Sequence, residues 1–315
     1  MEVMNICFVG LGSIAKRHIT NINKIFKSNN QEFKIDCFRS SMNEIPDEIK
    51  SIINNVYYNF EDVPEDYDVI FITNPTSLHL ETIRRFKNNA KHFFIEKPLF
   101  DKAESFLELK DLKLNKDSVF YVACPLRYTK VIQYLKTEID FSKVYSIRCI
   151  SSSYLPDWRP NIDYRKTYSA HKDMGGGVSI DLIHEWDYLY YLIGKPKKVW
   201  SIINKISDLE IDSDDIAVYI AEYDNKTVEL HLDYFGRETI REIEIFSRDE
   251  TIIGDLISGK ILYKKSNKVI DLTEQRNDFQ IRELEYFFEI IKGNEPNTNN
   301  LEAALNVLML TGGKN

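Results

Sequence analysis

Cysteine is scarce, with four in 315 residues. Cys7, Cys37, Cys124 and Cys149 stand singly inside apolar, strand-like runs, without the close pair spacing of a zinc site or a redox motif. A disulfide framework and a cysteine-held metal are therefore not expected; these residues read as small buried hydrophobes in a reducing compartment, with cytoplasm as the default. Long hydrophobic runs are missing too. No uncharged apolar stretch approaches the roughly 18 residues that a membrane span needs, and Lys16 and Arg17 fall where a secretory leader would continue its apolar region. Neither a membrane partner nor a leader is expected. An excess of basic charge is also absent: 41 Lys and Arg face 49 Asp and Glu, a formal net charge of −8. That argues against a nucleic-acid partner, which needs a basic face. There is no internal repeat and no low-complexity segment.

What is present is an ordinary globular balance, 43% hydrophobic and 29% charged. The length exceeds what one core comfortably supports, so two domains are expected. The first third alternates strand and helix patterns. Apolar runs at 5–9, 34–38, 69–73 and 92–95 predict buried parallel strands, and helix periodicity covers 14–26 and the segments holding Ile83 and Leu109. The second of these segments opens with Asp101 and Glu104, spaced as a capping box. Beyond residue 195 the period changes to two, in runs at 199–203, 216–223, 228–234, 240–246 and 261–263, as expected for an antiparallel sheet. Helix periodicity returns from Leu284, with a loop over 293–300. The expected architecture is α/β: an N-terminal Rossmann domain with a doubly wound parallel sheet over 1–122, then an α+β substrate-binding and oligomerisation domain over 123–315 with a large, mainly antiparallel open sheet. A last helix over 301–315 would pack back on the first domain.

Gly10-Leu11-Gly12-Ser13-Ile14-Ala15 directly follows the first strand and opens the first helix. Gly10 permits the tight turn, Gly12 lets backbone approach a pyrophosphate, and Ala15 allows close helix–sheet packing. The helix start at Ser13 and Ile14 then offers N–H groups and partial positive charge to phosphates. Dinucleotide binding is the reading; the alternative is a glycine turn without a ligand. An acidic residue closing the second strand would read the ribose of NAD, but the chain has Arg39, followed by Ser40 and Ser41. Arg39 could pair with a 2′-phosphate, which favours NADP, or stack on adenine while NAD binds.

Three further motifs carry a family resemblance. Thr73-Asn74-Pro75, with His79 beyond, resembles the strand end and loop that flank the nicotinamide half in the Gfo/Idh/MocA oxidoreductases. Glu96-Lys97-Pro98 resembles the family's Glu-Lys-Pro signature, and Gly175-Gly176-Gly177 followed by Asp181 and His184 resembles its substrate-site helix. The resemblance spans nearly the whole chain. It implies a sugar dehydrogenase or ketoreductase, acting on CH–OH donors, with a small-molecule sugar substrate and a homodimeric or homotetrameric assembly. It places Lys97 beside the nicotinamide ribose, and Arg127 and Tyr128 in the segment lining the substrate cleft, where Arg127 could instead form a structural ion pair. In many members the Asp and His are four apart; here they are three apart, which still leaves both on one face of a single helix.

Hydride transfer from a carbinol carbon needs a proton acceptor and positive charge near the developing oxyanion. Lys97 suits the charge, and Pro98 restricts its backbone, with a cis bond plausible. His184 suits the proton transfer, with Asp181 orienting it or holding a hydroxyl. Asp181, His184, Glu185 and Tyr188 are expected as a polar helix stripe beside glycines that let a ligand approach. The loop holding Trp158, Arg159, Arg165 and Tyr168 can stack on a ring and clamp an anion, favouring an acidic or nucleotide-activated sugar; otherwise Trp158 and the tyrosines pack the loop onto the sheet. The other activities open on this fold are a glycosidase using NAD for transient oxidation and a non-catalytic dinucleotide-binding regulator.

Overall fold

Strand and helix alternate from β1 (Met4–Val9) through α1 (Ser13–Ser28), β2 (Phe33–Phe38), the short α2 (Asp47–Lys50), β3 (Asn55–Tyr57), β4 (Tyr67–Ile72), α3 (His79–Phe86), β5 (Ala90–Ile95), α4 (Ser105–Lys110) and β6 (Phe120–Val122). The computed structural model describes residues 3–312; the first two residues and 313–315, the last three positions of the expected terminal helix, lie outside the described residues. All strand pairs in this part are parallel, in the order β3-β2-β1-β4-β5-β6. That is the doubly wound order, whose strand order reverses between β1 and β4.

The apolar runs explain the sheet. Phe8, Phe71, Phe94 and Tyr121 stand in register on β1, β4, β5 and β6. Their rings form a ladder, with Phe8–Phe71 at 4.6 Å and Phe71–Phe94 at 4.8 Å. Burying each such ring contributes roughly 1.5–3 kcal/mol. The expected capping box is not formed: α4 begins at Ser105, and the Glu104 side chain caps nothing.

The chain continues through α5 (Lys130–Glu138), β7 (Val144–Tyr154), α6 (Val178–Asp181), α7 (His184–Ile193), β8 (Lys198–Asn204), β9 (Ile216–Glu222), β10 (Thr227–Asp233), β11 (Phe235–Ser247), β12 (Thr251–Asp255), β13 (Lys260–Tyr263) and β14 (Lys268–Asp271). These eight strands make one sheet, ordered β14-β13-β12-β11-β7-β10-β9-β8. Only the β10–β7 pair is parallel. One face buries alternate residues such as Val199, Tyr219, Leu230, Cys149 and Ile243. Trp200, Ile202 and Ile220 lie on the other face and are exposed. All four cysteines are buried.

The chain ends with α8 (Asp278–Ile291) and α9 (Leu301–Thr311). Two compact units divide it differently from the expected 1–122 and 123–315. One holds the residues up to Ala123 together with Gln280–Leu305; the other holds Cys124–Phe279 and the residues from Asn306 on. The return has a packing reason. Phe287 of α8 meets Phe94 at 5.2 Å and Phe71 at 6.0 Å, and Phe288 meets Phe26 at 4.8 Å. Asn299 donates to the Val122 carbonyl at 2.6 Å. The division falls inside α9, so only its first turn belongs with the parallel sheet. Among the described residues no helix is long and apolar enough to cross a membrane.

Candidate active site

The turn between β1 and α1 is closed on one side and open on the other. Gly10 has φ +92°, and a Cβ there would lie 2.9 Å from both Cα and N of Asn74. Only glycine allows that approach of the β1 and β4 ends. A Cβ on Gly12 would meet nothing within 4 Å. Gly12 is the N-cap of α1, with no side-chain cap and no acidic residue in the first turn. The first N–H groups of the helix, from Ser13 and Ile14 onward, have no intrahelical partner and sit at its positive end. Room, donors and sign together fit a dinucleotide pyrophosphate.

The neighbouring strand ends support this turn. Thr73 donates its hydroxyl to the carbonyls of Val9 and Gly10 at 3.1 and 3.0 Å, and Asn74 donates to Thr82 at 2.7 Å. Pro75 and Ser40 are exposed beside them. His79, expected to face the cofactor, is instead fully buried. Its Nδ1 lies 3.1 Å from the Leu99 carbonyl and its Nε2 3.1 Å from the Asn74 carbonyl. It straps the loop after β4 to the loop after β5. Arg39 follows β2 as expected, but its side chain is buried. One guanidinium nitrogen donates to Ser41 at 2.9 Å, and Nε has no hydrogen-bond partner.

Glu96 and half-buried Lys97 follow β5, and the Lys97–Pro98 peptide is cis. Beneath them stands a residue that sequence reasoning missed. His18 of α1 places Nε2 2.6 Å from Glu96 Oε1, with the two side chains 2% and 13% exposed. Burial pushes the Glu96 carboxyl up, but the hydrogen bond from His18, with the Lys97 charge behind it, wins and holds it below the usual carboxylate range. His18 shares its helix face with Ala15, Ile19 and Ile22. A histidine at a core position of an amphipathic helix was the available signal.

In the other unit the glycine triplet leads not into one helix but into two. α6 ends at Asp181, Leu182 and Ile183 make a turn, and α7 begins at His184. The expected single polar stripe does not exist. Glu185 and Tyr188 are fully buried, with Glu185 at 2.7 Å from Arg241, while His184 is half-buried. The glycines open onto the chain itself. A Cβ on Gly176 would sit 2.1 Å from the Tyr168 carbonyl oxygen, and one on Gly177 would sit 2.2 Å from the Asp214 carboxylate.

Asp181 is buried and held by tyrosines. Tyr234 donates to its Oδ2 at 2.6 Å. Burial, then the Asp181 charge and a hydrogen bond to it, push the Tyr168 phenol above its ordinary range. Trp158 packs edge-on against Tyr234 at 5.2 Å and donates its indole N–H to Ser153 at 2.9 Å, so it fastens the loop to the sheet. Tyr234 was the second missed residue. It continues the inward alternation of Leu230 and Leu232, and a hydroxyl at such a position needs a buried acceptor.

The arginines separate. Arg159 is exposed, over the Tyr168 ring at 5.7 Å. Arg165 is paired with Asp163 at 2.8 Å and Glu210 at 3.2 Å. Arg127 is 2% exposed and makes a two-pronged pair with Asp187, at 2.8 and 2.7 Å. It fastens the segment before α5 to α7, the structural alternative for this residue, and Tyr128 beside it is buried as well.

Residues 4–124 match the family described as "Oxidoreductase family, NAD-binding Rossmann fold", and residues 132–252 match the "GFO/IDH/MocA C-terminal domain". The chain belongs to the GFO/IDH/MocA family. It is 25% identical over 189 residues to the uncharacterized oxidoreductase YrbE of Bacillus subtilis, covering 59% of this chain and 52% of that one. It is 28% identical over 136 residues to D-xylose dehydrogenase of Paenarthrobacter nicotinovorans, covering 42% of this chain and 35% of that one. The matched part thus spans about half the length of these curated relatives, or less. The fold also matches UDP-N-acetylglucosamine 3-dehydrogenase GnnA from Acidithiobacillus ferrooxidans, with a TM-score of 0.79 at 20% identity over 99% of this chain and 96% of that one. The parallel sheet with its open glycine turn is thus the family's NAD-binding Rossmann fold.

Proposed function

We propose that the chain is an NAD(P)-dependent dehydrogenase or ketoreductase acting on a secondary alcohol or ketone carbon of a sugar or sugar derivative. The observation that carries this reading is the pairing, on one sheet edge, of an open Gly12 turn with Lys97 seated over the Glu96–His18 pair. A ligand-free glycine turn would not need a fixed lysine at the carboxyl end of β5. The dinucleotide, when bound, supplies the hydride acceptor or donor. The chain supplies charge and proton handling. Lys97 offers an ammonium to the developing oxyanion. His184, at the start of α7, takes the hydroxyl proton in the oxidative direction and returns it in the reductive one. Asp181, fixed by Tyr234, holds a substrate hydroxyl or orients that imidazole.

Two finer readings rest on separate side chains. Arg39, with a buried Nε lacking a partner, favours a 2′-phosphate and hence NADP. Exposed Arg159 beside Tyr168 favours an acidic or nucleotide-linked sugar, with the paired Arg165 contributing less. The apolar residues Trp200, Ile202 and Ile220 on the open sheet face support self-association as a homodimer or homotetramer.

The test is turnover of a sugar panel, followed by the near-ultraviolet absorbance of reduced nicotinamide. Net reduced cofactor in step with substrate is expected. Lys97→Ala should lower the rate by at least about 100-fold while largely sparing cofactor affinity. Wild-type turnover in that variant, or glycoside cleavage without net reduction, would overturn the reading.

A further inference from the structure

The buried pair beneath Lys97 has no evident place in a simple core. The His18 ring lies edge-on to Phe94 at 5.2 Å and tilted against Phe71 at 5.9 Å. A leucine or phenylalanine would fill such a wall without a polar atom to satisfy. What requires an imidazole is the carboxylate that points inward from the end of β5. Glu96 stands at a strand terminus, where its side chain could turn to water, yet both oxygens are engaged. Oε1 meets His18 Nε2 at 2.6 Å, and Oε2 accepts the Lys97 backbone N–H at 3.3 Å. The backbone N–H of Glu96 is itself fixed on the Ile72 carbonyl at 2.9 Å.

The tautomer follows from the partners. His18 Nδ1 is buried with no hydrogen-bond partner. A proton there would bury an unsatisfied donor, which is rarer in folded chains than a bare buried lone pair. The single N–H therefore sits on Nε2 and points at Glu96. The chain of contacts then runs from α1 through His18 and Glu96 to the Lys97 backbone. α1 is the same helix whose first turn is open beside Gly12. We infer that His18 is a positioning residue for Lys97: acting through Glu96, it ties the lysine to the helix whose first turn would meet the dinucleotide. This rests on the role given to Lys97 above.

A carboxylate freed from His18 can rotate toward solvent and release the Lys97 N–H. A displacement of about 1 Å at a reacting group costs on the order of 100-fold in rate, so a partial loss is expected here. His18→Leu should lower kcat at least about 10-fold, with the cofactor KM within about threefold. His18→Gln, which keeps a terminal N–H donor, should restore kcat to within about threefold of the natural chain. A readout independent of turnover is amide exchange in the cofactor-free protein. The Lys97 N–H should exchange at least about fivefold faster in His18→Leu, and near the natural rate in His18→Gln. In the unsubstituted protein, imidazole ¹⁵N shifts should show a protonated Nε2 and a bare Nδ1, a result that needs no variant to fold. A proton on Nδ1, unchanged Lys97 exchange in His18→Leu, or equal loss of kcat in the Leu and Gln variants would overturn the inference. The two proposals fail separately. Full turnover in Lys97→Ala removes the catalytic reading while exchange still reports the strut; loss in Lys97→Ala with unaffected His18 variants removes only the strut.

Discussion

Two glycine segments precede helices in this chain, one beside the parallel sheet and one before α6, and they are glycine for opposite reasons. At Gly12 a side chain would project into open space, with no atom within 4 Å. At Gly176 the same hypothetical atom would collide with the chain's own carbonyls, those of Tyr168 at 2.1 Å, Ser169 at 2.7 Å and His171 at 2.8 Å. At Gly177, φ is +131° and the Asp214 carboxylate fills the space. Composition cannot separate the cases. The first leaves room for something that is not protein, and the second lets the protein touch itself. A glycine-rich turn is evidence for a ligand only when the missing Cβ points into a void.

The sharpest way to break this contrast is to add one methyl group to each segment. Gly176→Ala should cost about 3 kcal/mol or more, since the obstruction is backbone that cannot rotate away. Gly12→Ala should leave stability within about 1 kcal/mol, yet weaken dinucleotide binding by at least about tenfold, because its Cβ takes the space next to the phosphates. Urea melts and cofactor titration read the two effects. A Gly176→Ala protein as stable as the natural chain, or a Gly12→Ala protein that binds normally, would erase the distinction.

The same distinction governs what was legible in the sequence. The parallel strands stood out because β1, β4 and β5 are buried on both faces and read as unbroken apolar runs. β7 did not, because the inward phase of Ile147 and Cys149 continues at Ser151, and Ser152 on the other face is buried as well. The break between α6 and α7 falls on Leu182 and Ile183, which look like helix interior. The fate of Arg127 depended on Asp187, 60 positions away, and the return of α8 to the first sheet depended on Phe287 and Phe288 meeting rings far up the chain. Local chemistry could be read; pairings made by tertiary structure could not. Lys97 and the Gly12 turn are local motifs, while His18 and Tyr234 act only through distant carboxylates.

Arginines repeat the contrast at a smaller scale. Arg127 and Arg165 are closed by the chain's own carboxylates. Arg39 donates to the Ser41 hydroxyl and keeps a buried Nε without a partner. A guanidinium left short of an acceptor is suited to a phosphate. Arg39→Asp should therefore shift the ratio of NADP to NAD affinity toward NAD by about tenfold or more, since it removes a charge-assisted contact and adds a repulsive one. Dissociation constants for both cofactors would show it. An unchanged ratio would mean that Arg39 serves the fold, as Arg127 does.

The smallest effect concerns protons, and it sets two histidines of the first unit against two carboxylates of the second. Burial lowers His79 and His92 from their ordinary range, and it raises Glu185 and Asp214. For the carboxylates the folded state prefers the proton, so acidification favours it as pH falls toward their unfolded range. For the histidines the sign is opposite. Their stabilisation is complete above the unfolded value near 6.5 and is lost as pH falls through the lower folded value, because the unfolded chain binds the proton more readily. His92 has a structural reason to resist protonation: its Nδ1 accepts the Val119 backbone N–H at 3.1 Å, and a proton there would replace an acceptor with a donor facing a donor. His92→Asn keeps an acceptor at nearly the same reach and does not titrate. Melting temperature should fall in the natural chain between about pH 7 and 5.5, and fall less in His92→Asn, with similar values at the upper end. Parallel curves for the two proteins would show that His92 is not among the groups that lose stabilisation on acidification.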